Sequence, residues 1–168
     1  AEGEKIVEEI LQSHLHIQEI FLIESFSERI SQIEGEPFEL HTITENQLKK
    51  ISDLKTPNKV LAVIKIPSPT IHHKALQNSL SLVLDNINDP GNLGTIIRTA
   101  DWFGIKHVIC SDTTVDVYNP KVIQSTMGAI ARVQVIYRDL EELIYSFQQD
   151  PEFPIYGSFL EGENIYQT

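Results

Sequence analysis

Apolar positions along the chain switch between helical spacing and near-continuous strand-like runs, and the switches mark out its elements. Ile6, Val7, Ile10 and Leu11 form one stripe and predict a helix over Glu4–Gln12. The run Ile17–Ile23 predicts a strand. Ser25, with Glu28 three residues on, has capping-box spacing and opens a short helix to Ile33, which Gly35-Glu36-Pro37 ends. Phe38–Ile43 predicts a second strand, and Thr44 caps a helix over Glu45–Leu54 with the stripe Leu48, Ile51 and Leu54. Lys59–Ile66 is almost continuously apolar, which predicts a strand in the middle of a sheet. Residues 1–66 therefore read as a small layered α/β domain.

Residues 67–78 begin with two prolines and polar groups without periodicity, the pattern of a linker. A second domain is predicted over 79–168. It opens on strand Leu80–Ile87, followed by the turn Asp89-Pro90-Gly91-Asn92 and a helix. Asn92 is the expected N-cap, and Leu93, Ile96, Ile97, Ala100 and Phe103 the expected buried face. Strand Lys106–Ser111, loop Asp112–Asn119, and helix Lys121–Met127 behind Pro120 come next, with Gly128-Ala129 closing that helix. Strand Arg132–Tyr137, helix Leu140–Gln148 capped by Asp139, and a last strand, Pro154–Leu160, complete the pattern. Such alternation implies right-handed crossovers and a parallel sheet. Ligands of open parallel sheets sit at the carboxyl ends of strands, which singles out the turn after Leu84.

Charge changes this picture. A formal net charge of −11 argues against a generally basic nucleic-acid binder. Residues 1–54 set four basic side chains against twelve acidic ones, and 55–168 nine against twelve, so any basic patch is local. Lys49, Lys50, Lys55 and Lys59 gather around one helix end. The single cysteine, Cys110, excludes an internal disulfide framework or a cysteine metal site and reads as a small buried hydrophobe at a strand end. His72 and His73 are adjacent in an extended segment and point opposite ways, so no metal is expected. No apolar run approaches the length of a membrane span, and the N-terminus is not a signal peptide. A soluble, cytoplasmic, reducing setting without a membrane partner is the expectation.

The familiar phosphate and nucleophile motifs are absent: no GxxxxGK[ST], no GxGxxG after the strand and no GxSxG elbow. In their place stands D-x-x-x-D-P-x-N-x-G-x-x-x-R-T-A-x-x-F-G, formed by Asp85, Asp89, Pro90, Asn92, Gly94, Arg98, Thr99, Ala100, Phe103 and Gly104. This pattern resembles motif 1 of the SpoU/TrmH family of RNA ribose 2′-O-methyltransferases. Downstream, Asn119-Pro120-Lys121 and Ser125-Thr126-Met127-Gly128-Ala129 resemble that family's "PK…S-x-G-A" segment. Glu2-Gly3-Glu4-Lys5 and the α/β unit after it resemble its substrate-binding domain.

The resemblance implies an α/β fold in which a substrate-binding domain precedes a parallel-sheet, Rossmann-like SPOUT domain with a trefoil knot. It implies methyl transfer from S-adenosylmethionine to a ribose 2′-hydroxyl of rRNA or tRNA, by a homodimer. Arg98 takes the position of the catalytic arginine, with Asn92 beside it. Asn92, Gly94, Arg98, Ser125 and Arg132 are the expected RNA contacts. The family's glycine–acidic and Ser-Leu-Asn segments, which bind cofactor and complete the knot, are expected beyond Thr168, and a helix and strand ahead of Glu2. The 168-residue piece is thus expected to be inactive alone and to bind no S-adenosylmethionine. A non-catalytic RNA-binding or dimerisation module with the same fold is the alternative, motivated by the acidic charge and the missing segments.

Several residues have two readings. Arginine stays protonated and is a poor base, so Arg98 is expected to hold a phosphate and stabilise developing oxyanion charge; the plainer role is a surface pair with Asp101, three residues on. Asn92 serves as cap, as ribose contact, or as both. Trp102 and Phe103 offer either a base-stacking platform or a core and interface pair.

Overall fold

In the computed structural model, residues 1–30, 38–68, 70, 75–76, 79–149, 153–158 and 164 are described. The first half contains α1 (Glu4–Leu11), β1 (Ile17–Leu22), a 3-10 turn at Glu24–Phe26 running into α2 (Ser27–Ile30), β2 (Glu39–Thr42), α3 (Glu45–Ile51) and β3 (Val60–Ile64). Its sheet has the order β2-β1-β3, with β1 parallel to β2 and antiparallel to β3. The apolar stripe of α1, Ile6, Val7 and Ile10, packs with Ile20, Leu22, Val60 and Ala62 of the sheet and with Phe26 and Ile30. Thr44 forms a full capping box with Gln47 at the start of α3.

β3 lies between β1 and the first residues of the chain: Glu2 bridges antiparallel to Leu61, Gly3 N–H donates to Val60 O, and Ala1 and Ala62 exchange backbone hydrogen bonds. Leu61, Val63 and Ile64 also line a cleft of about 360 Å³ with Ile123, Val133 and Val135. One expectation fails here for a physical reason. Ser25 caps nothing. It lies inside the 3-10 turn, where Ser27 Oγ donates to Glu24 O at 2.7 Å, and the tighter turn displaces the capping box. The proposed turn at Gly35–Pro37 lies outside the described residues.

The second half contains β4 (Ser81–Leu84), α4 (Pro90–Trp102), β5 (His107–Cys110), α5 (Pro120–Thr126), a 3-10 turn at Ala129–Ala131, β6 (Gln134–Tyr137) and α6 (Leu140–Gln148). The three strands pair in the order β4-β5-β6, all parallel. Both faces of the sheet are covered, as parallel sheets require. Leu93, Ile97 and Ala100 of α4 and Val122 of α5 bury Val108, Cys110 and Val135 on one face. Leu76 and Phe147 bury Ile109 and Ile136 on the other. The expected strand over Pro154–Leu160 does not form: Pro154–Ser158 have no regular structure, and Ile155 and Tyr156 point to solvent. The remaining residues of that stretch, the pair His72-His73, and the knot implied by resemblance all lie outside the described residues. Among the described residues no helix is long and apolar enough to cross a membrane.

Cys110 ends β5 fully buried, and burial pushes its thiol up to about 11. The thiolate is the reactive form. The native protein is therefore expected to resist a thiol-labelling reagent at mildly alkaline pH and to react fully once unfolded in denaturant, as mass spectrometry would show.

The halves are joined by more than the chain. Ala131 packs in the first core with Ile6 and Ile10, and Gln124 Nε2 donates to the Glu2 carbonyl at 2.7 Å.

Candidate functional site

The loop leaving β4 is shaped by hydroxyls at the end of β5. Asn86 takes a left-handed conformation, φ 54°, which asparagine tolerates better than most side chains. Its backbone N–H donates to Ser111 Oγ at 2.9 Å, and Ile87 N–H donates to Thr114 Oγ1 at 3.3 Å. Ser111 Oγ also lies 3.0 Å from Thr113 Oγ1 and 3.1 Å from Thr114 Oγ1. Tyr137 secures the next loop: its hydroxyl donates to Val115 O and accepts from Val117 N–H, both at 2.7 Å. Burial pushes that phenol up to about 12, so it stays a donor.

α4 starts at Pro90, and its N-cap is Asp89, not Asn92. The Asp89 carboxylate accepts from Asn92 N–H at 2.8 Å. Proline at the first helical position needs no N–H partner, so the residue before it makes the cap. This frees the Asn92 side chain, which is exposed. Asp89→Ala is expected to cost about 1 kcal/mol in urea unfolding, with Asp89→Asn costing little.

The predicted buried face of α4 holds at Leu93, Ile97 and Ala100, with Ile96 half-buried. It fails at Phe103, which follows the helix and is 75% exposed. Gly94 is buried where α4 crosses α5. A Cβ placed there would lie 2.4 Å from Ser125 Cβ and 2.8 Å from the Val122 carbonyl oxygen. The close approach that Gly94 permits among the described residues is to the neighbouring helix. Ser125, half-buried, donates its hydroxyl back to Lys121 O at 2.8 Å. α5 begins at Asn119, whose side chain accepts from Lys121 N–H, and ends in two left-handed residues, Met127 and Gly128. A Cβ on Gly128 would also strike the Glu9 side chain of α1 at 2.9 Å.

Arg132 is exposed and ion-paired. Its guanidinium grips Asp101 with Nε and Nη2, at 3.0 and 2.8 Å, and Glu9 with Nη1. The hydrogen bonds it donates to Asp101, reinforced by those to Glu9, raise its pKa against partial burial. Sequence spacing offered Asp101 to Arg98, but the structure gives it to Arg132, thirty-one residues away. Nothing in the local sequence could have signalled that pairing. Arg98 itself is exposed, with no ion-pair or hydrogen-bond partner among the described residues. Of the lysines, Lys59 pairs with Glu4 at 3.0 Å, while Lys49 and Lys50 project from the last turn of α3. Glu19, Glu39 and His41 bring ligand atoms within 4.8 Å of one another on β1 and β2, where His41 Nε2 lies 3.2 Å from Glu19 and the ring stacks on Phe21.

The site is therefore a polar helix face following a strand end, with Arg98 as its unneutralised cation. The SpoU rRNA methylase family model matches residues 79–168, which include this helix. The chain belongs to the SpoU rRNA methylase family. An MRM3-like substrate binding domain matches residues 1–62. Among SpoU-type relatives, the chain is 31% identical over 99% of its length to the 23S rRNA (guanosine(2553)-2′-O)-methyltransferase RlmP of Bacillus subtilis, covering 64% of that protein. It is 34% identical over 80% of its length to rRNA methyltransferase 3A, mitochondrial, of Danio rerio, covering 32% of it. The chain thus spans less than two thirds of these curated relatives. A putative RNA methyltransferase of the TrmH family from Porphyromonas gingivalis superposes over the whole chain, and 65% of its own, with TM-score 0.83 and 36% identity. An AdoMet-bound rRNA methyltransferase from Sinorhizobium meliloti covers 89% of the chain, and 57% of its own, with TM-score 0.75 and 25% identity.

The hydroxyls of Ser111, Thr113 and Thr114, which follow β5, hydrogen-bond one another and the backbone of the loop after β4.

Proposed function

We propose that the protein containing this chain transfers a methyl group from S-adenosylmethionine to a ribose 2′-hydroxyl of rRNA, working as a homodimer in the cytoplasm. The observation that carries this reading is Arg98, exposed and unpaired on the first helix after the strand end, in a chain of the SpoU family. The names of the relatives, each an rRNA methyltransferase, favour rRNA over tRNA.

Arg98 acts by position and charge. A permanently protonated guanidinium cannot remove the hydroxyl proton, but it binds a phosphate with two parallel hydrogen bonds. Such a clamp fixes the ribose for attack and stabilises charge developing on its oxygen. Asn92, freed from capping, offers an amide in the first turn of α4 for the ribose. Ser125 and Gly94 contribute by setting the seat of α4 rather than by touching RNA.

Incubation of the full-length protein with radiolabelled S-adenosylmethionine and rRNA tests the activity. Label is expected at a discrete nucleotide, at a linkage that resists alkaline cleavage because its 2′-hydroxyl is blocked. Absence of transfer to rRNA from any ribosomal subunit, with folded protein, would rule this reading out. The acidic charge keeps a second reading open, a non-catalytic RNA-binding module; RNA binding without affinity for S-adenosylmethionine would establish it. Sedimentation velocity checks the homodimer.

A further inference from the structure

The outer face of α4 carries a combination that the methyl-transfer reading does not use. Trp102 lies one helical turn beyond Arg98, so the two side chains are neighbours on the surface. Trp102 is 86% exposed. Around it stand Thr95 and Thr99, whose hydroxyl protons are already donated to Gly91 O and Thr95 O. They leave no donor to compete with the guanidinium. The nearest acid in sequence, Asp101, is turned away: Arg132 holds both its oxygens. Its charge is met by Arg132, and that of Arg98 is left uncompensated. Lys106, exposed just past the turn at Gly104, is likewise without an ion-pair partner among the described residues. The arrangement is two bare rings, Trp102 and the adjacent Phe103, beside an unpaired guanidinium and a row of hydroxyls. It is the pairing that single-stranded nucleic acid takes, a cation for the phosphate and a ring for the base.

We propose that Trp102 is a stacking platform for a base of the RNA strand whose phosphate Arg98 holds, so that the outer face of α4 binds a single-stranded stretch beside the target ribose. The proposal rests on the RNA-substrate reading above and adds a residue that touches bases without reading their sequence. Arg132 serves it indirectly, by keeping Asp101 off the phosphate path.

Trp102 is the single tryptophan of the chain, so its fluorescence reports this face alone. The full chain is titrated with a single-stranded oligouridylate and an oligoadenylate at several salt concentrations, following indole emission and the anisotropy of labelled RNA. Quenching is expected with the same midpoint as the anisotropy change. Trp102→Ala is expected to weaken binding about ten-fold or more, leaving the salt dependence unchanged, and Trp102→Tyr to restore most of the loss. Arg98→Ala is expected instead to lower the slope of log affinity against log salt by about 0.7. Circular dichroism melts of the variants, expected to overlay the parent, separate binding from folding. RNA binding with unchanged emission and an unaffected Trp102→Ala overturns the stacking role while the substrate reading stands. Failure of the parent chain to bind either oligonucleotide at low salt overturns both. Emission that shifts on dilution without RNA, with Trp102→Ala turning a dimer into monomers, assigns the face to a second copy and overturns the proposal.

Discussion

Replacing Arg98 by alanine is expected to lower the rate of methyl transfer about 100- to 1000-fold, the loss typical of removing one preorganised donor from developing oxyanion charge. The effect belongs in kcat, with a smaller rise in KM for RNA, because the clamp acts most strongly as charge builds on the oxygen. Stability is expected to stay within about 0.5 kcal/mol of the parent, since Arg98 is exposed and supports no neighbour among the described residues. Arg98→Lys is expected to recover only part of the rate: it restores the charge and not the two-pronged geometry. Single-turnover kinetics with full-length protein would check all three statements. A rate within three-fold of parent for Arg98→Ala, an order-of-magnitude criterion well below the expected loss, would remove Arg98 from the chemistry.

The largest structural effect is expected at Gly94. Helix propensity alone favours Gly94→Ala by about 0.8–1.0 kcal/mol. Packing opposes it. The new methyl would meet Ser125 Cβ at 2.4 Å, and also the Val122 carbonyl oxygen at 2.8 Å and the Ser125 carbonyl carbon at 3.0 Å. Overpacking of a tight core costs about 1–3 kcal/mol or more, and the last two atoms are backbone that cannot rotate away. A net loss is expected, seen as a melting temperature lower by several degrees at about 2–4 °C per kcal/mol. Adding Ser125→Gly would relieve the first contact only, so the double variant is expected to regain part of the loss. An alanine variant more stable than the parent would mean that α4 and α5 sit farther apart than described.

How legible these features were in the sequence differs by residue. The parallel sheet was legible because β4, β5 and β6 are apolar on both faces and are separated by amphipathic helices. Asn92 has the side chain of a cap, but Pro90 carries the stronger signal: proline at the first position fixes Asp89 as the cap of α4. Apolar content alone suggests a strand at Pro154–Leu160, but Pro154–Ser158 are in no strand, and Ile155 and Tyr156 are left in solvent. The interior place of β3 was legible in its nearly continuous apolar run, but its second neighbour, the bridge at Glu2, was not, because that pairing joins residues far apart in sequence. Arg98 was legible through the long motif around it. The engagement of Arg132 with Asp101 and Glu9 was not, because it depends on how three separate elements meet. Gly94 was legible as a place of close approach, but not as to what approaches.

The seam between the two sheets has a thermodynamic consequence. Ala131, from the second half, is buried in the core of the first; Gly128 has room for Glu9 only because it lacks a side chain; Gln124 is tied to the Glu2 carbonyl; and Arg132 spans Glu9 and Asp101. Neither half keeps its own interior intact if the other melts. The two sheets therefore form one cooperative unit, which calorimetry would record as a single endotherm with equal calorimetric and van't Hoff enthalpies.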